Sequence, residues 1–286
     1  MAVAFKEIQE FRTDVIDRFH ACALWWFVFK GLFMQEFLKL ANTLADESGK
    51  IIRDHFRQPF EVVSKGDSSP VTIADRGAEA RIREIIERER PQDGILGEEF
   101  GIKESKSGLT WVIDPIDGTK SFVIGRPTFG TLIALCEGDL PTLGVIDQPI
   151  LNERWVGITG QQTTFNGQPV KTRPCPRLKE ACAASTTPAM FSKTGPVFER
   201  IEPAVKMLAW GGDCYMYGLL ASGLMDLCFE ASLSPYDFAA LVPVVEGAGG
   251  MMCDWSGKPL TLKSNGRVIA LGDQTLTQDV LKMIQD

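Results

Sequence analysis

The sequence predicts a mixed fold, part α+β and part α/β, and three features point to it. Apolar runs separated by turn residues between Thr128 and Thr159 read as an antiparallel meander. From about residue 175 onward short strands alternate with helices, the pattern of an α/β unit. Between them stands W-V-I-D-P-I-D-G-T-K-S-F at 111–122, an apolar strand that delivers Asp114 and Asp117 across a Pro-containing turn. Pro115 fixes its own φ and holds Asp114 in extended geometry. Gly118 and Thr119 come next, where the backbone can turn with its N–H groups exposed. Carboxylates at a strand end beside free backbone donors suit a hard cation and a phosphate; an acidic surface turn is the plainer alternative.

A chain of 286 residues fits one large unit or two closely packed subdomains. Its 44% hydrophobic and 23% charged residues are those of an ordinary globular protein. A net charge of −7 argues against nonspecific nucleic-acid binding, which draws its affinity from basic residues. The seven cysteines form no C-x-x-C pair and there are only two histidines, so a Cys/His zinc site and triad chemistry are poor fits. Such thiols suit a reducing compartment, and a cytoplasmic location is expected.

In chain order, residues 1–33 differ in character from the rest of the chain. Their run A-C-A-L-W-W-F-V-F at 21–29 is too short to span a bilayer, and Asp14 and Asp17 precede it where a signal peptide carries basic residues. An interfacial anchor, an oligomer contact or an extension outside the fold remain as readings. From Met34 an amphipathic helix begins, with Phe37, Leu38, Leu40, Ala41, Leu44, Ile51 and Ile52 near helical spacing. The expected organisation is therefore an atypical extension over 1–33, an N-terminal α+β subdomain over 34–174, and a C-terminal α/β subdomain over 175–286 that closes a cleft. Deleting residues 1–33 is expected to leave activity intact.

The stretch K-G-D-S-S-P-V-T-I-A-D at 65–75 places Pro70 near a helix start and Asp75 on the early turns of that helix, where an acid also serves the helix dipole. G-I-L-G-E-E at 94–99 reads as a short strand ending in Glu98 and Glu99, adjacent acids that leave a strand on opposite sides. Asn166-Gly167 marks a tight turn. In the second half, strands are expected at Ala181–Ser185, Asp226–Phe229 and Val268–Leu271, with helices near Pro196–Ala204, Tyr215–Ala221, Asp237–Glu246 and Leu276–Ile284. Asp237 would open its helix, again a position where an acid stabilises a helix N-terminus.

Glu98, Asp114, Asp117 and Asp237 lie on separate elements and could converge. Acids without Cys or His favour Mg²⁺ or Mn²⁺ over zinc. Two such ions activate a water and neutralise a departing oxygen, which makes metal-assisted hydrolysis of a phosphate ester the chemistry these residues suit.

The motifs G-E-E at 97–99, W-V-I-D-P-I-D-G-T at 111–119, Y-D-x-x-A-L at 236–241 and G-A-G-G at 247–250 together resemble the inositol monophosphatase superfamily of Mg²⁺-dependent phosphatases over roughly residues 34–286. Tyr236 stands where that family more often has Trp, and the surrounding motifs look like its histidinol-phosphate phosphatase branch. The resemblance implies a layered αβαβα sandwich, usually dimeric, acting on a small phosphorylated metabolite. It implies Glu98, Asp114 and the Ile116 carbonyl on one Mg²⁺, Asp114, Asp117 and Asp237 on a second, and a weaker third ion near Glu98. It implies Asp75 and Thr119 as the residues that orient the attacking water, Glu99 in support, and the Gly118 and Thr119 N–H groups on the phosphate.

At positions where that family contacts the leaving group this chain carries Asp213 and Glu230. Two carboxylates suit a cationic leaving group, since charge-assisted hydrogen bonds exceed neutral ones. Histidinol, with its amine and imidazole, fits better than a neutral polyol, although Asp213 could equally cap a helix beginning near Cys214. The competing readings are an inositol or broad sugar-phosphate phosphatase and, from another class, a noncatalytic metal- or phosphate-binding regulatory protein.

Overall fold

A computed structural model of the chain describes residues 34–58, 62–64 and 70–285. Residues 41–286 form one compact unit. The segment 1–33, with its apolar run at 21–29, lies outside the described residues, and no helix among the described residues is long and apolar enough to cross a membrane.

The opening helix, α1, spans residues 34–55. A two-stranded ribbon comes next, β1 (Val62–Ser64) pairing antiparallel with β2 (Pro70–Thr72), and α2 runs over Ile73–Glu89. Pro70 thus opens a strand rather than the helix. It tolerates that place because a ribbon's first residue need not donate to a ladder, and the helix starts three residues later, leaving Asp75 in its first turn as expected.

Eight strands form the larger sheet: β3 (Gly94–Gly97), β4 (Gly101–Lys103), β5 (Leu109–Asp117), β6 (Gly130–Glu137), β7 (Leu140–Gln148), β8 (Glu153–Ile158), β9 (Thr164–Phe165) and β10 (Gln168–Pro169), in the order β10-β9-β8-β7-β6-β5-β3-β4. The expected meander is β6 to β8, and Asn166-Gly167, both at positive φ, make the β9–β10 turn. Among the described residues of this sheet, only β3 and β5 pair in parallel. A five-residue helix, α3 (Thr119–Val123), leaves the end of β5.

The second half supplies a five-stranded sheet, β12-β11-β13-β15-β14, from β11 (Cys182–Ser185), β12 (Met207–Trp210), β13 (Leu227–Glu230), β14 (Met251–Asp254) and β15 (Val268–Leu271). Its helices are α4 (Val197–Ile201), α5 (Tyr215–Ala221), α6 (Pro235–Phe238), α7 (Leu241–Gly247) and α8 (Thr277–Gln285). The single helix expected over Asp237–Glu246 is two, because the chain breaks at Ala239-Ala240 between α6 and α7.

Among the described residues, three cores stack these elements in five layers. Ile52 and Phe56 at the end of α1 and Ala74 and Ala78 of α2 pack with Ile116, Phe122 and Phe129 on one side of the eight-stranded sheet. Its other side, through Val112, Leu132, Ala134 and Trp155, meets α5 and α7, which in turn pack on Ala184, Cys228 and Val268 of the five-stranded sheet. The far face of that sheet is covered by α4 and α8 through Val197, Ile201, Val280 and Ile284. This is the αβαβα sandwich that the resemblance implied. Arg154 ties the first two layers, donating to Asp147 at 2.7 Å, Asn42 at 3.0 Å and Asp46 at 2.7 Å.

Candidate active site

Asp114 and Asp117 are three residues apart on one strand, an odd spacing that in a regular strand sends side chains to opposite faces. A bulge resolves this. Asp114 pairs with Leu132 and Asp117 with Gly130, so three steps on β5 oppose two on β6. The extra residue restores a common direction. The bulge is pinned: Asp114 Oδ1 accepts from the Ile116 N–H at 3.1 Å, and the Thr131 hydroxyl donates to the Pro115 carbonyl at 2.8 Å. The Thr119 hydroxyl donates to the Ile116 carbonyl at 3.2 Å. Gly118 then takes φ +86°, a left-handed turn that leads into α3, whose first N–H groups have no intrahelical acceptor.

The parallel pairing of β3 with β5 sets Gly97 opposite Ile113, so Glu98 leaves its strand beside Asp114, and its N–H donates to the Ile113 carbonyl at 3.3 Å. Asp237 comes from the other half of the chain. Ser234 caps α6, and Asp237 Oδ2 accepts from the Ser234 N–H at 2.7 Å, so a capping box fixes the residue. The result brings one carboxylate oxygen each from Asp114, Asp117 and Asp237 within 4.8 Å of one another.

The electrostatics are those of a site built for cations. Burial, followed by the charges of Glu98, Asp117, Asp237 and Asp75, pushes the Asp114 carboxyl well above the ordinary range. Burial and then Asp237 and Asp213 do the same to Asp117. Asp237 is raised to about 7, chiefly by burial. Buried acids that repel one another fit a divalent ion, and an all-oxygen donor set fits a hard one. Because these folded-state carboxyls lie above those of the unfolded chain, their contribution is fully present below about pH 4 and is lost as pH rises through the folded values, about 7 for Asp237. The thermal midpoint of the chelator-treated protein is therefore expected to fall between about pH 5 and pH 8, and Mg²⁺ to raise it more at the upper end. Differential scanning calorimetry with and without Mg²⁺ checks both; a chelated midpoint that rises with pH would overturn the assignment.

A cleft of about 290 Å³ opens on this cluster, lined by Glu98, Asp117, Gly118, Thr119, Asp213, Glu230 and Asp237 among others. Asp114 is only 2% exposed and is not among the lining residues. Nor is Glu99, whose buried carboxylate stands 3.8 Å from the Arg76 guanidinium. Asp75 is buried on α2 and acts on Asp114 through its charge.

Asp213, which stands against Gly118 in the same cleft, does not cap α5. It sits at φ +45°, and its Oδ2 accepts from the Ser121 hydroxyl at 2.6 Å and the Thr128 hydroxyl at 3.3 Å. The neighbouring Cys214 N–H donates instead to Asp117 Oδ2 at 2.6 Å. Glu230 ends β13, accepting from the Thr186 N–H at 3.2 Å and the Tyr217 hydroxyl at 2.8 Å, and burial lifts its carboxyl to about 7. Thr186, Tyr217 and Met190 also line the cleft. They stand in no motif, and nothing in local sequence distinguishes them.

Acids at the end of β5 and on α6, a helix start with open N–H groups and a cleft above them make a candidate site for a metal-bound phosphate. The chain belongs to the inositol monophosphatase family, whose profile it matches over residues 34–286, and it is a phosphatase of that family. It is 47% identical over 262 residues to the bifunctional phosphatase IMPL2, chloroplastic, of Arabidopsis thaliana, covering 88% of this chain and 76% of that protein. It is 38% identical over 237 residues to the histidinol-phosphatase of Chlorobaculum parvum, covering 82% and 91%. Among solved structures, an inositol monophosphatase from Zymomonas mobilis superposes with a TM-score of 0.81 at 50% identity, covering 88% of this chain and 98% of that one.

Proposed function

We propose that the chain is a Mg²⁺-dependent phosphomonoesterase that hydrolyses L-histidinol phosphate to L-histidinol and phosphate. The metal would be held by Glu98, Asp114, the Ile116 carbonyl, Asp117 and Asp237. When bound, such ions lower the pKa of a water and screen the charge on phosphorus and on the departing oxygen. The chain's own residues do the rest. Thr119 Oγ1, its hydrogen committed to the Ile116 carbonyl, accepts a hydrogen bond from the attacking water. Asp75 is the carboxylate that draws on that water's proton, with Glu99 behind it. Gly118 and Thr119 N–H groups hold the phosphate oxygens.

The observation that carries the substrate is Asp213. Its carboxylate is held by two hydroxyls, the Arg126 and Lys120 charges act on it without a direct ion pair among the described residues, and it shares the cleft with Glu230. A buried acid with only hydroxyl partners gains most from a cationic ligand, and histidinol carries an amine and an imidazole. The Chlorobaculum relative, named a histidinol-phosphatase, supports this reading. A second reading, activity on inositol monophosphate as well, is favoured by the relative named bifunctional and by the Zymomonas enzyme.

Phosphate release from L-histidinol phosphate and myo-inositol 1-phosphate, side by side with Mg²⁺ and with chelator, tests both. Chelator-sensitive turnover with a large preference for histidinol phosphate is expected. Equal rates would favour the bifunctional reading, and silence on both would reopen the other phosphate esters and, after them, the noncatalytic reading.

A further inference from the structure

The helix that carries Asp75 also holds the turn that carries Glu98. Along α2, Arg76, Glu79 and Arg83 recur at i, i+3 and i+7, which stacks them on one face. All three reach the segment that links β3 to β4. Glu79 is 0% exposed; its Oε2 accepts from the Glu99 N–H at 2.7 Å and its Oε1 from the Phe100 N–H at 3.2 Å. Arg83 Nε donates to Glu79 Oε1 at 2.7 Å, and Arg83 Nη2 donates to the Gly101 carbonyl. The Arg76 guanidinium lies 4.9 Å from the centre of the Phe100 ring and 3.8 Å from Glu99 Oε2. Gly97 makes the approach possible, because a Cβ there would run into the Glu79 carboxylate and come within 2.8 Å of Arg83 Nη2.

We propose that Glu79 is a positioning residue for Glu98. A buried anion that accepts two consecutive backbone N–H groups fixes the peptide planes just after Glu98, and so fixes the direction in which Glu98 faces Asp114, Asp117 and Asp237. The anion is required. Glutamine has one acceptor oxygen, and its amide would set a donor against one of the N–H groups or against Arg83, leaving a buried donor unmatched. One helix then registers two acidic contributions to the site: it carries Asp75, and one turn later it anchors Glu98. This inference rests on the reading of Glu98 as a metal-holding residue.

Mn²⁺ binding, followed by the electron paramagnetic resonance of the free ion, tests it on the full chain as wild type, Glu79→Gln and Glu98→Gln. Glu79→Gln is expected to weaken Mn²⁺ binding by about 10- to 100-fold, the size seen when a partner behind a metal ligand is lost. The Mg²⁺ needed for half-maximal phosphate release should rise by the same factor, and saturating Mg²⁺ should restore the rate. Mn²⁺ binding within about threefold of wild type, or a lost rate that saturating Mg²⁺ leaves unrestored, would overturn the proposal. Should Glu79→Gln fail to fold, Arg83→Gln keeps both N–H contacts while removing the counter-ion; a several-fold weakening is then expected, and unchanged binding counts against it. Unchanged Mn²⁺ binding in Glu98→Gln would remove the metal reading of Glu98 and this inference with it.

Discussion

Asp114→Asn is expected to lower phosphate release by about a thousandfold while making the chelator-treated protein more heat-stable. The two effects have one origin. Asp114 lies at the centre of the acidic cluster, where Glu98, Asp117, Asp237 and Asp75 all act on it. Asparagine keeps the acceptor for the Ile116 N–H, which the structure places at 3.1 Å from Oδ1, so the bulge should survive. What disappears is a buried carboxyl whose charged form costs stability without a cation and is needed with one. Each kcal/mol of relieved repulsion shifts the midpoint by roughly 2–4 °C in a chain of this size. Scanning calorimetry under chelation and a phosphate-release assay in Mg²⁺ measure the pair. A lower midpoint in the variant would mean that Asp114 makes favourable bonds in the metal-free fold, contrary to the electrostatics described above.

The second large effect concerns choice rather than rate. Asp213→Asn is expected to raise the KM for L-histidinol phosphate by roughly 10- to 100-fold, as a hydrogen bond to a charged group is replaced by a neutral one. The kcat/KM for myo-inositol 1-phosphate should stay within about threefold, because a neutral leaving group loses no ionic partner. Ser121 and Thr128 can donate to an amide oxygen as they do to Asp213 Oδ2, so the loop should keep its shape. A KM unchanged for the cationic ester would remove the argument for histidinol.

Much of this was legible from residues in sequence. The run from Trp111 to Thr119 declares a buried strand that ends in acids, and Asn166-Gly167 declares its turn. What pattern reading could not supply was direction. Nothing local says that Asp114 and Asp117 face the same way, because the bulge that aligns them is defined by the partner strand. Glu79 draws no notice in the sequence, because its spacing of four from Arg83 is ordinary for a helix and only the tertiary fold buries it. Asp213 leaves two readings in sequence, a leaving-group contact and a helix cap, and the cap is ruled out by its positive φ and by the hydroxyls of Ser121 and Thr128, distant in sequence, that hold its carboxylate. Strands β12 and β14 pass unnoticed because both are short, and β12 is only partly buried. The break between α6 and α7 is hidden because Ala239 and Ala240 are good helix formers.

Gly144 and Gly157 stand opposite each other in the register of β7 and β8. A Cβ at the first would strike the Ala240 carbonyl, and one at the second the Pro243 carbonyl, so α7 lies with its backbone directly on the sheet. The spacing between Asp237, just ahead of that helix, and the acids of β5 is thus set by main chain against main chain. Repacking of side chains has little hold on it. The residues proposed to recognise the leaving group, by contrast, are side chains such as Asp213, Thr186 and Glu230 standing on loops and a strand end. A scaffold divided in this way can drift among leaving groups across its descendants while its hydrolytic apparatus stays in place, and its selectivity should be far easier to re-engineer than its chemistry.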